Sequence, residues 1–269
     1  LVAEAKARGI RIIIDMVLNH SSDRHPWFLE SRKGGANPKA DWYAWRDAKP
    51  DGWSRPWDGA NVWHELGGRF YYGLFWSGMP DLNLANPAVQ AEMEDTMVFW
   101  VGHGLAGFRI DAIRYLIETE DANGVQNADS AATHDYIRGL RQRMNTRAPG
   151  AVLLGEAWTN AEDQSAYWGQ GDELNLTFSF DMASSIVEVA RDGVRGRLNQ
   201  MLERSATTFA DRGFEAPFLT NHDMPRVARE MPKEALRVAA ALMLASPGTP
   251  FLYYGEEIGM VGGAERADE

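Results

Sequence analysis

The sequence has no cysteine among its 269 residues. This absence excludes disulfide bonds and thiolate metal sites, but it leaves the compartment open, because cysteine-free proteins occur on both sides of a membrane. The chain also lacks an apolar run of the roughly 20 residues that a membrane-spanning helix needs. No segment has the pattern of a signal peptide. The sequence therefore predicts globular protein without a spanning segment.

Basic residues are outnumbered as well. The chain has 27 Lys+Arg against 38 Asp+Glu, which gives a net charge of -11. Nucleic acids and anionic membranes bind clustered basic surfaces, and this balance does not supply one. We therefore expect neither as a partner, and a neutral or cationic small substrate is easier to accommodate. Composition does not define the oligomeric state.

Strands and helices alternate along most of the chain. A helical pattern over residues 1–8 ends at Gly9, and the apolar run IRIIIDMVL follows, as is typical of a strand covered on both faces. Further strands are predicted at 106–112, 151–155, 174–178, 216–220 and 250–254. Helices are predicted at about 86–102, at 133–147 (opened by Thr133), after Asn160, across 181–212 and at 233–245. This order predicts a parallel α/β fold, either an open doubly wound sheet or a (β/α)₈ barrel.

Polar residues lie at or just past the carboxyl ends of these predicted strands. They are Asp15, Asn19, His20, Arg109, Asp111, Glu156, Asn221, His222 and Asp223. A barrel gathers such strand ends around one mouth, so this placement favours the barrel.

One connection is far longer than the others. Residues 21–85 hold seven of the ten tryptophans, and so long a connection in a compact domain is usually functional. We expect an irregular subdomain at 21–85, inserted over the mouth of a barrel made of 1–20 and 86–269. Most of its tryptophans are expected to form its core, with sugar stacking as the alternative for any one of them. Because the chain opens inside a helical pattern and stops in a polar segment, we expect further sequence on both sides.

Six segments together resemble glycoside hydrolase family thirteen, the α-amylase family of retaining α-glucoside hydrolases and transglycosidases. In chain order they are DMVLNH (15–20), MPDLN (79–83), GFRIDAIRY (107–115), GEAW (155–158), TNHD (220–223) and GTPFLYYGEEIG (248–259). The resemblance covers nearly the whole chain. It implies a TIM barrel fragment that runs from the helix before strand 3 through strand 8, with the irregular subdomain inserted after strand 3.

The resemblance implies three catalytic carboxylates. Retaining cleavage needs a nucleophile and an acid about 5 Å apart; Asp111 would be the nucleophile, Glu156 the acid/base, and Asp223 the third carboxylate. Taken alone, Arg109 with Asp111 could be a structural ion pair, and the acids of GEAW and TNHD could be helix-start or turn residues. Their joint occurrence at strand ends, in the family's order, favours catalysis.

The resemblance also implies a substrate-binding set of Asp15, His20, Arg109, Arg114 and His222. Arg109 would hold Asp111 ionised and oriented, and the two histidines would bind sugar hydroxyls. Arg114 stands where many α-amylases carry a lysine that grips the sugar beyond the scissile bond.

A calcium ion is a further implication, held by Asn19, Asp81 and the backbone carbonyl of Tyr115. Oxygen ligands of this kind suit Ca²⁺. Family members that lack the ion use the same residues as hydrogen-bonding struts, so both interpretations stay open. No organic cofactor is expected.

The motifs leave the substrate open. MPDLN is intermediate between QPDLN of oligo-1,6-glucosidase-like enzymes and MPKLN of neopullulanase-like enzymes. We expect an α-amylase-type enzyme that cleaves α-1,4-glucans or maltooligosaccharides; an exo-acting α-glucosidase or oligo-1,6-glucosidase and a transglycosidase such as trehalose synthase are the alternatives. A non-catalytic binding barrel is the remote alternative, because all three acids are present. An α-amylase would favour a secreted or periplasmic protein, and an oligosaccharide glucosidase a cytoplasmic one.

Overall fold

The computed structural model describes residues 1–122, 124–210 and 214–262. Contacts divide the chain into two compact units. The first holds Leu1–Glu156 with Asp172–Leu174, and the second holds Ala157–Gly171 with the described residues from 175 onward. The predicted boundaries of the inserted subdomain, at 21 and 85, stay a prediction. None of the helices in the described ranges is long and apolar enough to cross a membrane.

The secondary structure alternates as the sequence predicts. The strands are β1 Ile13–Met16, β2 Trp45–Arg46, β3 Trp63–Leu66, β4 Arg69–Tyr72, β5 Gly107–Ile110, β6 Thr119–Asp121, β7 Gly124–Gln126, β8 Val152–Gly155, β9 Leu176–Phe178 and β10 Glu215–Ala216. The α-helices are α1 Val2–Ala7, α2 Pro26–Ser31, α3 Pro87–Gly102, α4 Ala131–Arg147, α5 Ala161–Ala166, α6 Phe180–Asp192, α7 Arg195–Phe209, α8 Val227–Glu230 and α9 Lys233–Ala245. Two 3₁₀ turns cover Ile113–Tyr115 and Glu256–Ile258.

The first unit is built on a parallel sheet in the order β1-β5-β8. In the middle strand, Phe108 and Ile110 are fully buried, whereas Arg109 between them points to the other face. Gly107 begins this strand at a φ of +152°, and a side chain there would overlap the Val152 carbonyl of β8. Glycine therefore lets β5 and β8 approach each other at the start of β5.

The long connection folds around the antiparallel sheet β2-β4-β3. Its core contains the buried side chains of Val62, Trp63, Tyr72 and Leu74. Trp42, Trp45 and Trp63 are buried, as expected of core tryptophans. Trp57 and Trp76 differ from these, because they are 50% and 59% exposed.

The helix starts follow from their capping residues. Asn86 and Asn160 accept backbone hydrogen bonds at the first turns of α3 and α5, as their sequence positions indicate. The predicted start of α4 at Thr133 is wrong. Ser130 is the capping residue, since its hydroxyl accepts a 3.0 Å hydrogen bond from the Thr133 N–H. Thr133 lies inside the first turn, where its own hydroxyl accepts a hydrogen bond from the Ile117 N–H.

The second unit contains the parallel pair β9 and β10, with α6, α7 and α9 packed around a methionine-rich core. The predicted helical stretch 181–212 divides at Gly193, which adopts a left-handed conformation with φ of +70°; residues 211 and 212 lie outside the described residues.

The strand predicted at 250–254 is not formed. Thr249 and Phe251 donate backbone hydrogen bonds to the carbonyls of Glu215 and Pro217, at 2.9 and 2.8 Å. The return bond from residue 217 is missing because proline has no N–H. A one-sided ladder results in place of a regular strand.

Candidate active site

Asp111 and Glu156 each follow a strand of the parallel sheet. The Asp111 N–H donates to the Met16 carbonyl at 3.3 Å, and the Glu156 N–H donates to the Ile110 carbonyl at 3.0 Å. The backbone of each residue is thus fixed by the last hydrogen bond of its strand with the neighbouring strand. They share the carboxyl edge of the sheet, as the sequence predicts.

Arg109 joins the acidic residues at this edge. Its guanidinium pairs with Asp111, with Glu156 at 2.9 Å and with Asp15 at 3.4 Å, while its side chain is only 11% exposed. Burial by itself lowers the pKa of Arg109, but the charges of Glu156, Asp111 and Asp15 outweigh it and raise that pKa above its ordinary value. The contact with Asp111 was expected, whereas the contact with Glu156 was not.

The residue after the nucleophile candidate has an unusual backbone. Ala112 adopts the left-handed conformation with φ of 49°, which costs a non-glycine residue roughly 1–2 kcal/mol. Its N–H donates a 3.2 Å hydrogen bond to the carboxylate of Glu156. The turn therefore connects the two carboxylate-bearing segments through the backbone, in addition to the Arg109 bridge.

His20 lies in the segment after β1, where its imidazole interacts with the charge of Asp111. Burial lowers the pKa of His20 below 6.5, and the opposing charge of Asp111 reverses this only in part. The Nδ1 atom is 3.0 Å from the side-chain oxygen of Asn19. A neutral imidazole held in this way can exchange hydrogen bonds with a hydroxyl.

Asn19, Asp81 and Tyr115 come together as the resemblance implies. The Asn19 side-chain amide donates to the Tyr115 carbonyl at 2.6 Å, and the Leu82 N–H donates to the Asn19 carbonyl at 2.7 Å. Asp81 accepts a 3.0 Å hydrogen bond from the Leu74 N–H. These contacts attach the end of β1 to the long connection and to the 3₁₀ turn after Asp111.

Glu118 joins this group, and the sequence analysis missed it. Burial, followed by the charge of Glu118, raises the pKa of Asp81 well above its ordinary value, and burial raises the pKa of Glu118 to about 7. Asp81 Oδ2 and Glu118 Oε1 have no hydrogen-bond partner among the described residues. Buried oxygens of this kind need a partner. The available signal was an acidic residue directly after the apolar pair Leu116 and Ile117.

The oxygen atoms of this group fit a hard cation. Two carboxylates, an amide side chain and a backbone carbonyl are the ligands that Ca²⁺ prefers. An asparagine amide can be turned by 180° to exchange its oxygen and nitrogen, so Asn19 can offer either atom. No cluster of three or more acidic or histidine side chains suited to a metal occurs in the described part of the chain; the group thus depends on its amide and carbonyl oxygens.

Arg114 has a partner that the sequence analysis did not foresee. Its guanidinium makes a two-pronged pair with Asp129, with the Nε atom 3.0 and 3.1 Å from the two carboxylate oxygens. The Asp129 N–H donates in return to the Arg114 carbonyl at 2.8 Å. Asp129 thus fixes the 3₁₀ turn from which Arg114 projects. The role of Arg114 in gripping a sugar stays a prediction.

The TNHD segment lies in the second unit. The Asp223 N–H donates to the Asn221 side-chain oxygen at 2.9 Å, and His222 Nε2 is 3.3 Å from the Asp223 carboxylate. Both side chains are about half exposed, at 57% and 50%. They are therefore accessible to a ligand. That His222 and Asp223 complete the group around Asp111 stays a prediction.

Two residues, Glu256 and Arg226, connect the TNHD segment and the residues after it to the motif GTPFLYYGEEIG. Glu256 accepts hydrogen bonds from the Thr220 hydroxyl at 2.6 Å and from the Tyr253 N–H at 3.1 Å. Arg226 donates to the Tyr254 carbonyl and lies 4.2 Å from the ring centres of Tyr253 and Tyr254. A cavity of about 630 Å³ opens at this loop. The motif GTPFLYYGEEIG therefore supports the TNHD loop, in line with the structural character that the resemblance implies for Glu256 and its neighbour Glu257.

The family model for the catalytic domain of α-amylase matches residues 1–269. The chain belongs to the α-amylase family. It is 34% identical over 270 residues to α-amylase 3 of Dictyoglomus thermophilum, covering 97% of this chain and 50% of the relative. It is 34% identical over 303 residues to a trehalose synthase/amylase of Mycolicibacterium smegmatis (97% and 50%), and 33% over 298 residues to an oligo-1,6-glucosidase of Heyndrickxia coagulans (97% and 53%).

Solved structures of the α-amylase family share the fold. The α-amylase from H. orenii superposes with a TM-score of 0.82 at 33% identity, over 97% of this chain and 53% of that structure. The predicted fold class, α/β with part of a TIM barrel, is confirmed. The chain spans about half the length of the relatives it matches.

Replacing Arg109 by methionine tests the central ion group of this α-amylase-family protein. Without the guanidinium, the carboxylates of Asp15, Asp111 and Glu156 repel one another, so the melting temperature at pH 7 should fall by roughly 5 °C or more. Acid protonates carboxylates and relieves the repulsion; the difference from the unmodified protein should therefore shrink at pH 5. Thermal melts of the full-length protein at the two pH values measure this difference.

The matched control is Arg8→Met, which removes an exposed pair with Glu4. Exposed pairs contribute about 0–1 kcal/mol, so this variant should melt within about 2 °C of the unmodified protein. Equal losses for Arg109→Met at both pH values would contradict the repulsion argument.

Proposed function

We propose that this chain carries the catalytic centre of a retaining glycoside hydrolase that cleaves α-1,4-glucosidic bonds in starch-type glucans or maltooligosaccharides. The observation that carries this proposal is the part-buried bridge from Arg109 to both Asp111 and Glu156. A bridge through one guanidinium favours the short carboxylate separation of about 5 Å that retaining enzymes use, in contrast to the wider separation of inverting enzymes.

The reaction proceeds in two displacements. A carboxylate oxygen of Asp111 attacks the anomeric carbon, the glycosidic C–O bond breaks, and the departing oxygen takes the proton of Glu156. Water then gives a proton to Glu156 and attacks the same carbon, which releases Asp111. Both steps pass through a positively charged sugar ring. The third carboxylate, Asp223, binds hydroxyls of that ring as it distorts.

The other predicted residues have distinct tasks in this reaction. Arg109 holds and aims Asp111 through a charge-assisted hydrogen bond to its carboxylate. His20, His222 and Asp15 bind sugar hydroxyls around the same ring.

Azide separates the roles of the two carboxylates in the full-length protein. Asp111→Asn and Glu156→Gln should each reduce hydrolysis of α-linked substrates by about 10³-fold or more. With an activated α-glucoside, azide should restore turnover of both variants. In Asp111→Asn, azide takes the place of the nucleophile and should give the β-glucosyl azide. In Glu156→Gln, azide attacks the glycosyl-enzyme and should give the α-glucosyl azide. NMR of the products distinguishes the two anomers.

An exposed acid serves as the control, because Asp47→Asn removes a carboxylate that is 98% exposed and should leave the rate unchanged. Near-normal hydrolysis by Asp111→Asn, or the same azide anomer from both variants, would refute the assignment.

The relatives support more than one substrate class. Their names include an α-amylase, an oligo-1,6-glucosidase and a trehalose synthase/amylase. An exo-acting α-glucosidase or oligo-1,6-glucosidase is therefore the second candidate and a transglycosidase the third. In transfer, a sugar hydroxyl takes the place of water in the second displacement.

Product analysis decides among these candidates. With starch, maltotriose, isomaltose and maltose as substrates, we expect oligosaccharide products from starch, as internal cleavage of α-1,4 bonds produces. Chromatography of the products measures this outcome. Glucose as the sole product, cleavage of isomaltose in preference to starch, or trehalose formed from maltose would each overturn the α-amylase assignment in favour of a named alternative.

We also propose that Ca²⁺ is held by Asn19, Asp81 and the Tyr115 carbonyl, with Glu118 as an additional ligand. The partnerless buried oxygens of Asp81 and Glu118 support this proposal. A cation there would neutralise two buried negative charges and fasten the turn after Asp111 to the long connection. Its contribution is structural, and the catalytic steps do not pass through it.

Metal analysis tests the calcium proposal. We expect close to one calcium per chain in purified protein, and a loss of about 5 °C in melting temperature on adding a chelator. Asp81→Asn should abolish both the metal content and the chelator effect, whereas the exposed control Glu65→Gln should keep both. Absence of calcium together with an unchanged melt would leave these residues as hydrogen-bonding struts.

A further inference from the structure

A row of four aromatic rings leads away from the candidate nucleophile within the first unit. Phe75 meets His20 at 5.2 Å and Tyr115 at 6.1 Å, both edge to face. Trp57 contacts Phe75 at 5.7 Å and Tyr115 at 5.6 Å. We call these four residues, His20, Phe75, Tyr115 and Trp57, the aromatic wall. It begins at the proposed sugar-binding histidine and ends at Trp57.

Trp57 is the exposed end of this wall. Its side chain is 50% exposed, although Trp42, Trp45 and Trp63 of the same connection are buried. A large exposed apolar side chain is more informative than a buried one, because burial needs no function to explain it. The indole therefore offers an open surface beside the site.

The loop that carries Trp57 is held in place. The Arg55 N–H donates to the Ala60 carbonyl at 2.8 Å, and the Gly59 N–H donates to the Arg55 carbonyl at 2.9 Å. The Arg55 guanidinium pairs with Asp58, bonds the Phe75 carbonyl and lies 5.2 Å from the Trp57 ring centre. A surface fixed in this way binds a ligand without a large ordering cost.

We infer that Trp57 is a stacking surface for a second glucosyl unit of the substrate, next to the unit whose anomeric carbon Asp111 attacks. A pyranose has an apolar face of C–H groups, and aromatic side chains with a few fixed polar groups are the usual lining of sites for such ligands. Trp57 lies two ring contacts away from His20, the proposed ligand of the first sugar, and we therefore assign it to the next sugar of the chain. The ligand class is a maltooligosaccharide or α-glucan chain; the inference rests on the proposed function for the reacting sugar.

Kinetics with two substrates test the role of Trp57 in the full-length protein. α-Glucosyl fluoride has one sugar and a leaving group without a ring, whereas maltotriose extends past the reacting unit. Trp57→Ala should lower kcat/KM for maltotriose about tenfold and change that for α-glucosyl fluoride by less than about twofold, while Trp57→Phe should recover most of the loss. Equal effects on both substrates, or none on either, would overturn the inference.

Two further variants control for structural damage. Trp76→Ala removes a tryptophan of similar exposure, 59%, whose ring lies over Gly78, and it should leave both rates unchanged. Trp57→Leu keeps apolar volume against Phe75 and Tyr115 but removes the flat surface. It should show the selective loss predicted for Trp57→Ala, and it keeps the inference testable if the alanine variant unfolds. Recovery of maltotriose activity by leucine would show a packing role and contradict stacking.

A binding measurement separates this inference from the proposed function. Calorimetric titration of maltotriose and glucose into the Asp111→Asn protein, with and without Trp57→Leu, needs no turnover. Trp57→Leu should weaken maltotriose binding about tenfold and leave glucose binding unchanged. If the unmodified protein hydrolysed no α-glucoside but this difference remained, the proposed function would fail, whereas the stacking of a glucosyl unit on Trp57 would hold. An unchanged maltotriose affinity would refute the inference alone.

Discussion

The ion group around Arg109 is the constraint on which the candidate site depends. A guanidinium on a buried strand cannot stay without acceptors, since an isolated charge in such a place costs several kcal/mol. Here the acceptors come from the ends of three adjacent strands, through Asp15, Asp111 and Glu156. The need to compensate one cation thus brings together carboxylates that are far apart in sequence. The close grouping of carboxylates that the proposed reaction needs is therefore the same grouping that stabilises the guanidinium on its buried strand.

Sequence reasoning worked best where a local physical rule applied. The caps Asn86 and Asn160 were predictable because side-chain oxygens at helix starts satisfy free N–H groups. The carboxylates at the sheet edge were predictable because parallel strands end on one side. Ser130 was missed because two hydroxyl residues, Ser130 and Thr133, could each cap this helix start, and only the hydrogen bonds of the folded chain distinguish them.

Other features depended on contacts between distant residues. The pairs of Arg114 with Asp129 and of Asp81 with Glu118 join segments 15 or more residues apart, so spacing within one motif could not reveal them. The strand predicted at 250–254 failed for a simpler reason: its neighbour contains Pro217, which has no N–H to donate. The comparisons confirm the family and the fold, whereas the arrangement of Asp223 with the other two acids rests on the resemblance.

The left-handed turn at Ala112 couples the two principal carboxylates. The backbone N–H that this conformation presents is the one that Glu156 accepts, and the residue before it is Asp111. We therefore expect a substitution at Glu156 to free the left-handed turn from one hydrogen bond as well as to remove an acid, and the proposed nucleophile, Asp111, is attached to that turn. Energetic effects of changes at the two positions will not add, because the residues act as a unit. In evolutionary terms we expect epistasis between the two positions, because a change at either carboxylate alters the contacts of the other.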